Sequence, residues 1–458
     1  MGDIYFTPYA SQVSSSIGFE YVLPMIYFWY KLNVQLSKSL IHSHPMSSNK
    51  IAYFLRTAVV IFGLGTVEFS CSTSPQDTMS SRFHTFGTDL AFLKKHQLPL
   101  VLSSPDDDSA QVAVVAALQG RVMTSTAGGS TGNSYGWLNY KLLESGKFTP
   151  HMSAFGGEER FWLGPEGGQF SVYFEKDKDF VFDNWQVPAL IDSEPFDLVS
   201  SEKAKASFRK KAKLTNYSGT TFDIEILRSV EVMSKLSVET ILQLPLKDVK
   251  VVAYETMNQV INQGADWKKE TGLLSIWILG MFNPTPKTTV IVPFKNTPNA
   301  KSLINDSYFG KVPAERLIIK DSVLYFAADG KHRSKIGLPP SIAEPVMGSY
   351  DSEKGVLTIV TYDLDPSGDY VNSLWELQKE PYKGDAANSY NDGPVADGTQ
   401  MGPFYELESS SPARELKKGQ ILGHRSRTFH FEGLESQLAP IAKRFLGVSL
   451  KEVAALEK

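Results

Sequence analysis

Hydrophobic and polar positions along this chain alternate in short bursts rather than in long helical runs. Phe170-Ser-Val-Tyr-Phe-Glu175, Phe222-Asp-Ile-Glu-Ile226, Thr288-Thr-Val-Ile-Val-Pro-Phe294, Gly355-Val-Leu-Thr-Ile-Val-Thr-Tyr362 and Thr428-Phe-His-Phe431 are rich in β-branched and aromatic residues. Several of them repeat with a period of two, which sends successive side chains to opposite faces of a half-buried strand. Turn-forming clusters such as Pro105-Asp-Asp-Asp108, Asn216-Tyr-Ser-Gly219 and Asp365-Pro-Ser-Gly368 separate them. Helical spacing is confined to Gly87–His96 and to the end of the chain. There Leu434, Leu438, Ile441, Ala442 and Phe445 recur, and Ser449-Leu-Lys-Glu452 has the form of a capping box opening a last helix. Many short strands, a few short helices and no Pro/Gly/Ser-rich linker predict an all-β fold, a large antiparallel β-sandwich occupying residues 80–458 as one domain.

Composition narrows the functional classes. A net charge of -4 provides no field for nucleic acid, so no nucleic-acid partner is expected. The basic run from Lys203 to Lys213 reads as a solvated face. Aromatic residues make up 12% of the chain, which suits strands and equally suits sugar clefts, where flat rings cover the C–H faces of pyranoses. No cofactor motif and no metal-ligand spacing occurs; Asp363 and Asp365 are scattered carboxylates that a calcium ion could use. Nothing in the pattern speaks to oligomeric state.

The single cysteine, Cys71, excludes an intramolecular disulfide framework. Lys50 and Arg56 precede the uncharged stretch Thr57–Val67, and Ser70 stands directly before Cys71. A basic n-region, a short apolar h-region and a small residue before cysteine form the pattern of a bacterial lipoprotein signal. Residues 46–79 are therefore expected to be signal and tether, with Cys71 lipidated and the protein exported and membrane-anchored through that lipid, in the periplasm or at the cell surface. Glu68 departs from the pattern, so a plain signal peptide or a retained anchor is the alternative. Residues 1–45 read as an upstream extension from an over-long start, with Tyr21–Tyr30 as an alternative membrane-associated segment.

Four polar constellations are denser than strand-building requires. In Phe155-Gly-Gly-Glu-Glu-Arg-Phe-Trp162 and the following Gly-Pro-Glu166, the residues Glu159, Arg160 and Glu166 flank Trp162. An arginine fork there can hold vicinal hydroxyls, and a tight turn with a surface ion pair is the bland alternative. Gly330–Leu338 carries His332 and Lys335 on a cationic loop entering a strand, and Asn388–Pro394 crowds Asn391 and Asp392 at a Gly-Pro turn. In the fourth, alternation puts Glu406 and Glu408 on one face of a strand with Leu407 on the other. Two carboxylates on one face each raise the other's proton affinity, so such a pair is either wet or in use.

Together these segments resemble the galactose mutarotase-like (aldose 1-epimerase-like) superfamily, and within it uncharacterised exported bacterial lipoproteins. Glu406-Leu-Glu-Ser, then Leu416-Lys-Lys-Gly-Gln, then Thr428-Phe-His-Phe431 is similar in order to the stretch carrying the mutarotase base. Phe155-Gly-Gly through Trp162 looks like the His-Gly-Gly segment, and Gly120-Arg-Val-Met-Thr124 like an early Gly-Gly-Arg strand. The resemblance implies the galactose mutarotase-like supersandwich, a carbohydrate ligand and Glu408 as catalytic base. Glu159, Arg160, Trp162, Glu166, Lys335, Asn391 and Asp392 would then be sugar-binding. It also implies a histidine acid, yet Phe155 stands where the family's histidine would, and Asn283-Pro-Thr-Pro-Lys287 lacks another. His332 is the remaining candidate, with His151 or Arg160 as alternatives. The expectation is an exported carbohydrate-binding protein, an aldose epimerase or a related sugar-active isomerase; the alternative is a non-catalytic glycan-capturing surface lipoprotein.

Overall fold

The computed structural model describes residues 85–456, so Cys71 and the expected signal, tether and upstream extension lie outside the described residues. The strands, in chain order, are β1 (Leu100–Ser103), β2 (Gln111–Val115), β3 (Arg121–Thr126), β4 (Arg160–Gly164), β5 (Asp197–Ser201), β6 (Lys205–Thr215), β7 (Thr221–Val232), β8 (Lys250–Asn262) and β9 (Ser275–Phe282). There follow β10 (Thr288–Pro293), β11 (Leu317–Lys320), β12 (Val323–Ala327), β13 (Ser334–Leu338), β14 (Val346–Asp351), β15 (Val356–Tyr362), β16 (Ala387–Asn391), β17 (Tyr405–Ser410) and β18 (Ile421–Glu432). The helices are short: α1 (Phe86–His96), α2 (Tyr140–Ser145), α3 (Ala189–Asp192), α4 (Lys235–Leu242), α5 (Glu435–Leu446) and α6 (Leu450–Leu456). The expected all-β, antiparallel architecture with few helices is the one the chain adopts.

Ten strands form one sheet in the order β11-β12-β10-β14-β15-β18-β8-β7-β6-β5, five form a second in the order β13-β16-β17-β9-β4, and β1-β2-β3 form a third. One face of the five-stranded sheet supplies Ile336, Leu338, Tyr405, Leu407 and Phe282, which pack against Val290, Val292, Leu324, Phe326 and Val360 of the large sheet. The opposite face of the large sheet presents Val251, Leu357, Ile359, Phe429 and Phe431 to Leu438, Ile441 and Leu446 of α5 and to Leu242 of α4. The layers are thus helix, large sheet, small sheet. Each buries one face and leaves the far face of the small sheet for other work.

The period-2 rule explains an unusual charge in this core. Along β7, Phe222, Ile224, Ile226, Val230 and Val232 point inward, and Arg228 occupies the same phase. Its guanidinium, fully buried, pairs with Glu159 at 3.0 Å, with the Asn258 side chain at 2.5 Å and with the Gly120 carbonyl at 3.0 Å. Burial pushes the Glu159 carboxyl up, and Arg228 opposes that shift.

Phe170–Glu175, read as a strand from its composition, is not one. Val172, Tyr173 and Phe174 are all buried in succession, which a one-faced strand cannot provide. Loop carbonyls and side chains satisfy its backbone instead: Val172 N donates to Pro165 O at 3.2 Å, and Tyr173 N to Ser171 Oγ at 3.0 Å. Tertiary packing overrides β-propensity here. The basic run from Lys203 lies along β6, where its exposed side chains meet Glu231, Glu225 and Asp223 of β7.

Removing one member of a fully buried pair leaves the other charge uncompensated, which costs about 3–5 kcal/mol. Glu159→Ala is therefore expected to lower the urea-unfolding free energy by that amount, and the double substitution Glu159→Leu/Arg228→Met to recover most of it. A single-variant loss below about 1 kcal/mol would contradict this account of the pair.

Candidate functional site

The antiparallel register of the small sheet determines which side chains share its far face. Lys335 stands opposite Tyr390, Tyr390 opposite Glu406 and Glu406 opposite Met281. One pleat along, Asn388 stands opposite Glu408, Glu408 opposite Leu279 and Leu279 opposite Arg160. Trp277 and Trp162 face each other across β9 and β4. Because directly opposed residues share a face, all of these side chains project away from the inter-sheet core.

At the centre is Glu408, only 1% exposed. Its Oε2 accepts from Lys335 Nζ at 2.8 Å and from the Trp277 indole N–H at 3.0 Å. Glu406 beside it forms an ion pair with Arg160, whose guanidinium lies 5.0 Å from the centre of the Trp162 ring. Trp162 and Trp277 meet edge to face at 5.6 Å, and the Lys335 ammonium sits 4.9 Å from the Trp277 ring and 5.5 Å from that of Tyr308. Tyr308 donates to Asp385, and the Asn388 amide donates to Tyr308 at 3.1 Å. Gly337 is required here, because a Cβ would collide with the Asp385 carboxylate and the Asn388 amide.

The cluster holds more carboxylates than cations in a largely dry space, and proton affinities shift accordingly. Burial raises Glu406, with Arg160 opposing and Glu408 reinforcing. Burial pushes Asp385 up to about 6 against the hydrogen bond from Tyr308 and the charge of Lys335. Burial alone would lower Lys335, yet Glu408 and Glu166 outweigh it and hold the ammonium above its ordinary range. Glu166, on the turn after β4, is pushed up to about 7 by burial, opposed by Lys335 and reinforced by Glu408. It lies deep among surrounding atoms yet keeps a partial opening to water. The Lys335 side chain, 12% exposed, is also reached by solvent.

Two loops wall the face. Glu166 N lies 3.4 Å from Ser373 Oγ, and Ser171 Oγ donates to Glu166 O at 2.5 Å. Tyr173 packs 5.8 Å from Trp162 and stacks on Trp185, which stacks in turn on Trp375 at 5.8 Å. Glu408 Oε1, Arg160 Nε and Trp162 Nε1 are buried without a protein partner. Buried polar atoms are normally satisfied, so a group of orphans along one aromatic-walled face marks where a ligand's or water's hydrogen bonds belong.

The structure brings Glu408, Lys335, Arg160, Trp162 and Glu166 together. Glu159 is on the other side, bound to Arg228. The His332 side chain is exposed on the loop before β13, and its carbonyl accepts from Asn391 at 2.9 Å. Asn391 faces the inter-sheet side and braces that loop through Gly330 N at 2.8 Å. Asp392, buried, accepts from the Tyr390 hydroxyl at 2.6 Å and from Gly402 N at 3.0 Å, and its charge helps to raise the Glu406 carboxyl. His151 binds the Trp185 carbonyl at 2.6 Å, His424 binds Ser409 at 2.9 Å, and His430 binds Glu158 at 2.8 Å. Among the described residues, no histidine side chain contacts Glu408. Asp363 and Asp365 pair with Arg425 and Arg414. Trp277 escaped the sequence reading because all eight residues of β9 are buried, and such a strand looks like plain core. Asp385 and Tyr308 carried no local signal at all.

The molecule is an all-β, antiparallel sandwich with a buried cluster of charged and tryptophan side chains on the far face of its smaller sheet. The chain belongs to the family of unknown function DUF6786, whose model matches residues 84–457. None of the curated proteins matches it. Among solved structures, a galactose mutarotase-like protein from Lactobacillus casei is similar over 72% of this chain and 99% of its own, at 8% identity and a TM-score of 0.43. A galactose mutarotase related enzyme from Lactobacillus acidophilus covers 73% and 97% at 9% identity and a TM-score of 0.40. The Slr1438 protein from Synechocystis covers 73% and 96% at 12% identity and a TM-score of 0.44.

A carboxyl raised on folding stabilises the fold below its unfolded value, near 4.5, and loses that contribution as pH rises through about 7. Glu166→Gln should therefore be more stable than the parent at pH values above 7, with the difference closing on acidification towards 4.5, as read by urea unfolding across a pH series. Equal stability of the two proteins at alkaline pH would refute the shift.

Proposed function

We propose that this protein binds a neutral pyranose against the far face of the five-stranded sheet and interconverts its anomers in the manner of an aldose 1-epimerase, with Glu408 as base. The observation that carries this reading is the Glu408 carboxylate itself. One oxygen is held by Lys335 and Trp277, while the other is buried without a partner beside two tryptophan rings. Indole faces cover sugar C–H surfaces, and carboxylates and guanidinium accept and donate to hydroxyls. Glu166, Asp385, Glu406 and Glu408 outnumber Arg160 and Lys335, so the electrostatics favour a neutral sugar over a uronic acid.

One observation favours the alternative, a glycan-capturing protein without turnover. Glu408 is only 1% exposed, and its Oε2 is already engaged by the Lys335 ammonium at 2.8 Å. Polarimetry on freshly dissolved α-galactose and α-glucose separates the two. The expected result is acceleration that Glu408→Gln reduces about 10²–10⁴-fold. Saturable quenching of tryptophan emission should accompany it and be weaker for galacturonate. Saturable binding with no acceleration by the parent protein would leave the receptor reading.

For the N-terminal part we propose export as a lipoprotein anchored through Cys71, supported by the sequence pattern around Ser70. Expression in a bacterial host with radiolabelled palmitate should label the protein. Cys71→Ser should abolish the label, and persistent labelling of that variant would refute the assignment.

A further inference from the structure

Glu408 is 1% exposed, so a ligand reaches it only when something above it moves. One short segment of the wall is built to do so. Residues 304–312 form a strap along the outer edge of β13, the first strand of the small sheet. Asn305 pairs with Gly337 through both backbone bonds, at 2.8 and 2.9 Å, and Ile304 and Val312 are fixed in the inter-sheet core. Val312 N donates to the Asp306 carbonyl at 2.9 Å, and Lys311 pairs with Asp306 at 2.6 Å, which closes the segment on itself. Between these anchors Ser307, Phe309, Gly310 and Lys311 are exposed. Gly310 takes a φ of +93°, and nothing stands within 4 Å of the place a Cβ would occupy.

Two side chains hold this tip to the sheet. Phe309, 46% exposed, lies under the Arg333 guanidinium at 3.9 Å. Tyr308 turns inward, and its ring lies 5.5 Å from the Lys335 ammonium, against which the Trp277 ring also packs at 4.9 Å. The Tyr308 hydroxyl donates to the Asp385 carboxylate and accepts from the Asn388 amide at 3.1 Å. Those two groups fill the room that Gly337 leaves on the far face. Asn388 stands directly opposite Glu408 in the register, so their side chains are neighbours on the pleat. A hydroxyl that donates to a carboxylate and accepts from an amide is held in the pattern that suits a hydroxyl of a pyranose.

We propose that Asp385 and Asn388 form a hydroxyl-binding subsite for the sugar, which Tyr308 occupies from within, so that the strap 304–312 is a self-inhibitory lid displaced by the ligand. The inference rests on the sugar-binding reading above. The sugar hydroxyl replaces the Tyr308 hydroxyl bond for bond, so the subsite is satisfied whether the strap is closed or open. Displacement of the ring uncovers Lys335 and, past it, the carboxylate that Lys335 holds. Apparent affinity is lowered in proportion to the fraction of molecules whose strap is closed.

The test uses the opposite signs that an internal competitor and a structural bond produce. Tyr308→Phe and Asp385→Ala break the same hydrogen bond. If that bond only held the scaffold, both substitutions would weaken galactose binding, read by quenching of tryptophan emission. With Tyr308 as competitor, Tyr308→Phe should tighten binding about tenfold, because a hydrogen bond to a charged group no longer keeps the lid shut. Asp385→Ala should weaken it about tenfold, because the acceptor of the sugar hydroxyl is gone. A measurement on the parent needs no variant: nitration of Tyr308, mapped by peptide mass, should rise when galactose is saturating. Equal or weaker binding by Tyr308→Phe, undiminished binding by Asp385→Ala, or nitration of Tyr308 that does not rise with galactose would overturn the lid and leave sugar binding standing. Failure of both the parent and Tyr308→Phe to bind galactose or glucose would sink the sugar reading and this proposal together.

Discussion

Burying a carboxylate on the face of a sheet demands a partner, and the arrangement around Glu408 follows from that demand. β17 alternates Tyr405 and Leu407 into the inter-sheet core with Glu406 and Glu408 onto the far face. Two acids two residues apart cannot both stay ionised in a dry space unless cations stand beside them. The antiparallel register supplies those cations from both sides. Lys335 reaches in from β13, two strands away, and Arg160 from β4, also two strands away. The glutamate strand is the middle of the five, so each acid has a cation-bearing edge strand within side-chain reach.

The same sheet divides the protein's buried charge into two systems with different consequences. On the inner side, Arg228 and Glu159 are closed off, and His430 with Glu158 is likewise without exposure. Such pairs satisfy polar atoms in the core and have no route to a ligand. On the far side, Lys335 and Glu166 retain contact with solvent, and several polar atoms lack protein partners. Glu158, Glu159 and Arg160 are consecutive in the chain, yet the strand period sends Arg160 to one system while Glu159 joins the other.

Much of the fold was readable as pattern. The alternation in Phe222–Ile226, the apolar burst of Thr288–Phe294 and the run Gly355–Tyr362 correspond to β7, β10 and β15, and the helical spacing of Leu434–Phe445 corresponds to α5. Phe170–Glu175 misled because its composition suits a strand, while its neighbours in space, Pro165, Ser171 and Trp185, demanded an irregular segment buried on all sides. A strand's two faces are visible in sequence; a loop's packing is not.

For the site, the sequence by itself determined that Glu406 and Glu408 share a face, that Arg160 and Trp162 share another, and that Glu166 follows close after them. These are consequences of period two and of short chain separation, and they hold whatever the rest of the chain does. Only the tertiary structure decided that the two faces are one. It set Lys335 rather than His332 against the glutamate, turned Asn391 to bracing the loop before β13, and brought Trp277, Asp385 and Tyr308 in from distant segments. The physical reason is register: a shift of one residue in any of five strands would exchange the faces, and register is selected by the burial of the whole core and not by any local motif.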